Sequence, residues 1–283
     1  MKFLLLTIIF QLHFWSTDAQ KIDESDFTDD FAFSIQTIDD FFDRFNVDPN
    51  TPAFQYINSN FPEFKFNKKT VIFSLFNFKS TLWDKMIINE FADQFANDTI
   101  IKLKFGEKGW YCVLHCNVFY KKKQRKMDLI MEIDSVHTQM GTIGYKWSIR
   151  SIKATFINSV DTSTSINTQS GKKNESLFLH PMSHAINFIN IRNIFKKGFT
   201  NVYFAKEVKP GSLNKFQLLV DNSEIKFNYI DSVSYEIFQL PGWILEVKQF
   251  NRIGRNSGWL ISKLVPASDL EKQTYLNTVL NIK

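Results

Sequence analysis

Before residue 100, two stretches of the chain place apolar residues three and four positions apart, and this spacing predicts amphipathic helices. The first helix is expected to begin at Ser34, with a stripe formed by Ile35, Ile38, Phe42 and Phe45. The second is expected to begin at Ser80, with a stripe formed by Trp83, Ile87, Phe91 and Phe95 and widened by Leu82 and Met86. Further helices are predicted after Ser183 and Ser212, and residues 268–271 (SDLE) predict the capping box of a short C-terminal helix.

From residue 99 onward the apolar period changes to two, which predicts strands with one apolar and one polar face. Such segments lie at 101–105, 110–118, 129–133 and 145–149 in the first half, and at 225–229, 233–237, 243–247 and 259–261 in the second. Each half therefore runs from helices to four antiparallel strands. This order predicts an α+β protein of two similar units, each with helices packed on a curved four-stranded antiparallel sheet.

Segments with few apolar residues divide the chain. Residues 158–176 (NSVDTSTSINTQSGKKNES) predict a linker between units at 34–157 and 177–283. Residues 20–33 are expected to form an acidic N-terminal arm, because five acids and one lysine fall within 21–30.

The first residues predict export. Met1 and Lys2 precede an apolar run, and Thr17 and Ala19 supply small residues at the usual cleavage positions, so residues 1–19 are typical of a signal peptide. No later apolar run reaches about 18 residues, the length needed to span a bilayer. The mature chain is therefore expected to be a soluble periplasmic or secreted protein with no transmembrane segment.

The composition is that of a folded globular protein. The chain is 44% apolar with only 10 Gly and 7 Pro, which excludes disordered and collagen-like proteins.

The cysteines and histidines predict neither a disulfide nor a metal site. Cys112 and Cys116 lie four positions apart on a predicted strand, or about 13 Å, well beyond the ~7 Å limit for a disulfide. They are expected to be unpaired core residues. His180 and His184 are spaced for zinc on a helix, but Pro181 disfavours that helix, so no metal or cofactor is expected.

The dense run of basic residues comprises Lys121, Lys122, Lys123, Arg125 and Lys126. Because it lies between two predicted strands, it is either a solvated hairpin turn that protects a sheet edge or a contact for a polyanion. A polyanionic glycan, lipid headgroups and nucleic acid are the candidates. The run lacks interleaved aromatic residues, which counts against single-stranded nucleic acid.

A second candidate site is the turn before the last strand. Arg252, Arg255 and Asn256 share this turn with Gly254 and Gly258 and precede Trp259, so the guanidinium groups are candidates for binding a carboxylate or phosphate. The alternative is structural, with the glycines serving a bulged hairpin.

Five segments are distinctive: FPEFK at 61–65, SLFN at 74–77, GWYC at 109–112, YKW at 145–147 and FNRIGRNSGWLI at 250–261. The last is the most specific, because it is long and rich in residues that are not interchangeable. These segments resemble a family of uncharacterised exported proteins of the Bacteroidetes. The element order resembles the NTF2-like fold, in which helices pack into the concave side of a curved antiparallel sheet. The resemblance implies tandem NTF2-like domains in an exported protein, and it implies no activity.

Enzymes of the NTF2-like fold usually work in that cavity with an inward-facing acid, base or tyrosine, as the resemblance implies. The predicted inner faces carry Tyr229, Tyr235 and Gln239 but no carboxylate. The leading interpretation is therefore a non-catalytic binding protein for a small molecule or a protein partner, with Tyr235 and Gln239 as candidate ligand contacts. The alternatives are a cavity enzyme of the isomerase, dehydratase or hydrolase sort and a structural or envelope-assembly component, with a homodimer left open.

Overall fold

The computed structural model describes residues 34–62, 67–79, 82–98, 100–137, 143–160, 179, 191–198, 200–205 and 211–282. The predicted signal peptide at 1–19, the acidic arm at 20–33 and most of the linker at 158–176 lie outside these residues. The start of the helix predicted after Ser183 also lies outside them, as do His180 and His184.

The described residues contain six α-helices and six β-strands. The helices are α1 (Ile38–Asn46), α2 (Pro52–Asn60), α3 (Lys68–Ser74), α4 (Lys85–Asn97), α5 (Ser212–Asp221) and α6 (Asp269–Thr278). The strands are β1 (Trp110–Tyr120), β2 (Lys123–His137), β3 (Ile143–Lys153), β4 (Ile225–Ile237), β5 (Trp243–Phe250) and β6 (Gly258–Pro266). The predicted α+β class is confirmed.

The strands form one antiparallel sheet in the order β3-β2-β1-β4-β5-β6. The first strand of each half, β1 and β4, pair along their lengths, from Trp110 opposite Ile237 to Tyr120 opposite Ile225. The prediction of two separate four-stranded sheets is therefore wrong. Pairing β1 with β4 removes two long strand edges that separate sheets would expose to solvent.

Three of the eight predicted strands differ in the structure: two of them merge into one strand and the third does not form. Residues 225–229 and 233–237 belong to the single strand β4, which is bent by two bulges. Residues 101–105 form no strand, because side-chain amides satisfy their backbone. Asn46 exchanges two hydrogen bonds of 2.8 Å with the backbone of Leu103, and the Gln239 amide bonds the backbone of Lys104 in the same way.

The helix starts differ from the predicted ones because other residues cap them. Thr37 accepts a hydrogen bond from the Asp40 amide, so α1 begins at Ile38 rather than after Ser34. Asp84 caps α4, which leaves Leu82 and Met86 exposed instead of widening the buried stripe. The capping box at Ser268 is confirmed, as are the buried positions Leu213, Phe216 and Val220 of α5.

The face of the sheet that packs against α1, α4 and α5, called the inner face, carries the main core. Aromatic rings fill it: Trp110 lies 4.9 Å from Trp147, and Tyr235 lies 4.8 Å from Trp259, between ring centroids. Cys112 and Cys116 are also buried there on β1 with free thiols, as predicted. In the described part of the chain, rings therefore occupy the space that a cavity between helices and sheet would need.

Neighbouring segments cover parts of both sheet edges. On β6, the Trp259 amide donates to Ile35 O at 2.9 Å, and the Ile261 amide donates to Leu75 O at 2.7 Å. On β3, the Trp147 amide donates to Leu179 O at 2.8 Å. These contacts satisfy backbone groups that would otherwise be open to pairing with another chain.

The opposite face of the sheet, called the outer face, is covered only in part by described residues. Helix α6 and the residues after it pack on a small second core of Tyr111, Val113, Ile130, Phe238 and Ile244. Lys272 of α6 donates to Phe238 O at 3.0 Å and fixes the helix on the sheet. None of the helices in the described segments is long and apolar enough to cross a membrane.

Candidate functional site

The part of the outer face that α6 leaves uncovered contains a depression of about 240 Å³ at the seam between β1 and β4. We call it the outer depression. Its lining residues are His115, Cys116, Asn117, Lys126, Asp128, Asp231, Ser232 and Lys248. Seven of these eight residues have polar or charged side chains, so the outer depression differs chemically from the aromatic inner face.

Strand register brings these residues together. His115 on β1 lies opposite Asp128 on β2 and opposite Ser232 on β4, so three strands contribute to one row. The next residue, Cys116, lies opposite Ile230, which makes Asp231 the extra residue of a β-bulge. A bulge breaks the alternation of a strand and redirects a side chain, which is why Asp231 and Ser232 line the same depression.

The His115 ring is held at both nitrogens. Its Nδ1 lies 2.8 Å from Asp128 Oδ1, and its Nε2 lies 3.4 Å from Ser234 Oγ. A carboxylate only accepts hydrogen bonds, so Nδ1 carries a proton in this arrangement. The ring orientation is therefore set before any ligand arrives.

Asp128, His115 and Ser234 follow the order of a hydrolase triad, but the geometry does not favour a nucleophilic serine. Ser234 is 2% exposed, and a substrate carbonyl has no path to its hydroxyl. Its backbone pairs with Val113 on one side and with Lys248 on the other. An oxyanion hole needs backbone N–H groups that are available to the substrate, and strand pairing already uses those around Ser234. The arrangement positions His115 instead of activating Ser234.

The charges around the outer depression are mixed, and Lys248 is paired with Glu246 at 2.8 Å. Lys126 and Lys248 line it, and Lys226 lies close by on the outer face because it precedes the core-facing Phe227 on β4. Asp128 and Asp231 are the acids of the lining, and Asp128 is engaged by His115. In the described residues, no group of three or more His, Cys, Asp or Glu side chains is arranged to hold a metal ion.

A pair of glutamates lies on the outer face next to Tyr275 of α6. Glu236 on β4 is directly opposite Glu246 on β5, and Tyr275 lies 3.4 Å from Glu236 Oε2. Burial and the charge of Glu246 raise the pKa of Glu236 to about 8. The hydrogen bonds from Lys248 and Ser262 lower the pKa of Glu246 despite its burial. One carboxyl of the pair is thus neutral at pH 7 and the other is charged.

This pair predicts a pH-dependent stability. The folded-state pKa of Glu236, about 8, exceeds its ordinary value of 4.5, so the folded protein binds the extra proton between these values. The free energy of unfolding should therefore fall as pH rises through this range. In Glu236→Gln the fall should be smaller, and the variant should be more stable than wild type at pH 8. Chemical denaturation at several pH values measures this difference, and Glu90→Gln on the exposed side of α4 is the control.

The structure places the residues predicted from the turn before β6 in structural contacts. The Arg252 guanidinium donates to Asn77 Oδ1 and lies 5.1 Å from the Phe250 ring centroid. Asn256 donates from Nδ2 to Phe76 O at 2.6 Å and to Ser74 O at 3.2 Å. Arg255 is exposed in the same turn. These contacts connect the turn to the end of α3.

The other predicted ligand residues lie elsewhere. Tyr235 and Trp259 are brought together, but within the main core, at 2% and 3% exposure. Gln239 donates from Nε2 to the carbonyls of Lys104, Glu107 and Lys108. The polar atoms of Gln239 therefore hold the 104–108 segment instead of facing the ring pair.

The basic run forms the β1–β2 hairpin as predicted. Lys121 and Lys122 have positive φ angles of 46° and 65°, the backbone of a two-residue hairpin turn. Lys121 Nζ lies 3.2 Å from Glu224 Oε2. Lys123 and Arg125 pair with residues of β1 that belong to the inner face, but both side chains are exposed to solvent. Lys126 lines the outer depression.

Sequence reasoning did not identify His115, Asp128, Asp231 or Lys248 as site residues. The available signal was the polar pair His115 and Asn117 within the otherwise apolar strand β1. Comparison with known proteins adds no relative: no family model matches the chain, and no curated protein or solved structure matches it significantly.

Proposed function

We propose that this chain is an exported, non-catalytic binding protein that holds a polar molecule in the outer depression. The observation that carries the proposal is the convergence of polar side chains from β1, β2, β4 and β5 at a β-bulge that α6 leaves uncovered. Export rests on the signal peptide predicted at residues 1–19 and on the resemblance to exported Bacteroidetes proteins. The proposal also includes that each half is related to the NTF2-like fold, as the same resemblance implies.

The chemistry of the lining supports binding. Asn117 and Lys126 offer hydrogen-bond donors, and Asp231 and Ser232 offer acceptors. His115 is already oriented by Asp128, so little rotational freedom is lost when a ligand binds. A site that is organised before binding fits recognition without a chemical step.

The test is a proton NMR titration of the His115 imidazole in the full mature chain, with its signal assigned from His115→Gln. The probes are amino acids, dicarboxylates, nucleotides and oligosaccharides. We expect at least one class to shift the His115 signal while leaving those of the other histidines unchanged. Asp231→Asn should weaken this binding, and Asp93→Asn on α4 is the matched control. If no probe class moved the His115 signal, the proposed site would be wrong.

A hydrolase is the second candidate, because Asp128, His115 and Ser234 are in triad order. A fluorophosphonate probe reacts with an activated serine, and it should leave Ser234 unlabelled because the hydroxyl is covered. Mass spectrometry of the treated protein gives the answer. Labelling of Ser234 that disappeared in His115→Gln would establish the hydrolase and contradict the binding proposal.

A further inference from the structure

We infer that the ligand of the outer depression is an anionic carbohydrate, bound with sugar rings against Tyr229 and Phe119 and with its acidic groups near Lys126 and Lys226. This inference rests on the proposed function and names the chemistry of its ligand. Three features of the outer face support it: exposed aromatic rings, two exposed lysines beside them, and carboxylates that accept hydrogen bonds.

The aromatic rings lie directly beside the outer depression. Tyr229 on β4 is opposite the lining residue Asn117, and Phe119 is the next outer-facing residue of β1. Tyr229 is 45% exposed and Phe119 is 40% exposed, whereas most aromatic rings in the described segments are buried or half-buried. A large aromatic ring exposed on a sheet face offers a surface to a ligand with an apolar face, and a sugar ring has such a face.

Two lysines lie beside these rings. Lys226 is directly opposite Phe119, and Lys126 is directly opposite Asn117. Both lysines are exposed, and Lys122 at the hairpin tip is exposed beyond them. This distribution fits a ligand that carries negative charge along its length.

The acids of the lining distinguish a sugar from a nucleic acid. Asp231 and Asp128 accept hydrogen bonds, which the hydroxyl groups of a sugar donate. The backbone of a DNA strand carries phosphates and no free hydroxyl groups, so it has no such donors to offer Asp231 and Asp128. Aromatic rings with lysines alone would fit either polymer, so the carboxylates favour the carbohydrate.

The experiment is isothermal titration of the mature full-length chain with oligogalacturonates and with heparin-derived hexasaccharides. The methyl-esterified oligogalacturonate, which lacks the charge, and an oligothymidylate of equal charge are the comparison ligands. We expect an acidic oligosaccharide to bind, the methyl ester to bind about tenfold more weakly, and the oligothymidylate not to bind. Tyr229→Ala and Lys126→Gln/Lys226→Gln should each weaken binding about tenfold.

The matched controls lie on the helical side of the molecule. Phe78→Ala removes a ring that is 49% exposed, and Lys85→Gln removes an exposed lysine of α4, so both should bind as wild type does. Because Tyr229 is half exposed, its replacement should leave the melting temperature close to that of wild type.

Three results would overturn the inference: no binding of either acidic oligosaccharide, equal or tighter binding of oligothymidylate, or binding that the outer-face variants leave unchanged. The His115 signal separates this failure from failure of the proposed function. A shift of that signal by another probe class would leave the outer depression as a binding site with a different ligand. A signal that no probe moved would refute both.

Discussion

Replacing Gly258 with alanine should lower the free energy of unfolding by about 2–5 kcal/mol, the sum of backbone strain and steric overlap. Gly258 begins β6 with a φ of +86°, a region that other residues rarely adopt. A methyl group at this position would overlap the carbonyl of Ile35, which accepts the Trp259 amide at 2.9 Å. The substitution should therefore separate the segment before α1 from the edge of the sheet. Urea denaturation measures the loss.

Gly242→Ala separates the two causes. Gly242 has a similar φ of +80°, but no atom lies within 4 Å of the position that a methyl group would take. Its replacement should cost only the strain of the backbone, about 1–2 kcal/mol. Equal losses in the two variants would mean that the close approach of Ile35 to Gly258 does not contribute to stability.

Trp259→Ala should lower the free energy of unfolding by about 3–5 kcal/mol, the usual cost of removing a buried tryptophan. The ring is 3% exposed and packs 4.8 Å from the Tyr235 centroid, where it connects β6 to the centre of the inner face. The Tyr235 ring beside the cavity also packs on Trp110 and Trp147, so it cannot collapse into the cavity without leaving those contacts. Urea denaturation, with m-values compared, measures the effect.

The exposed ring of Phe78 is the control for this prediction. At 49% exposure, its replacement by alanine should cost less than about 1 kcal/mol, because little apolar area is removed from the protein interior. If Trp259→Ala kept wild-type stability but lost ligand binding, Trp259 would be a ligand contact, as the turn before β6 first indicated.

Local patterns predicted most of the elements. The period of two identified β1, β2 and β3, and the capping box at Ser268 identified α6, because these signals involve residues close in sequence. The same approach failed for residues 101–105, which have the alternation of a strand. Their backbone partners are the side chains of Asn46 and Gln239, and the residue sequence of the segment carries no sign of them.

The pairing of β1 with β4 was not predictable from local patterns. β1 and β4 each have an apolar inner face. The alternation of apolar and polar residues in each strand is the same whether the two strands lie in separate sheets or pair in one sheet. More than a hundred residues separate the two strands, so their register depends on tertiary contacts.

The outer depression was missed for the same reason. The row of Asp128, His115 and Ser232 is formed by residues from three paired strands, and Asp231 of the outer depression lies at a bulge in β4. A sequence shows that a strand has a polar face. It does not show which part of that face a helix covers, and here α6 covers one part and leaves the outer depression uncovered.

One sheet shared by both halves is the claim on which the outer depression depends, because the depression lies on the β1–β4 seam. Thermal unfolding, followed by circular dichroism, of the separate fragments 34–157 and 177–283 and of their mixture tests it most directly. We expect neither fragment alone to unfold cooperatively, since each exposes a long strand edge and part of the aromatic core, and we expect the mixture to regain a cooperative transition. Two fragments that each unfolded cooperatively, with signals that summed to that of the whole chain, would contradict the shared sheet.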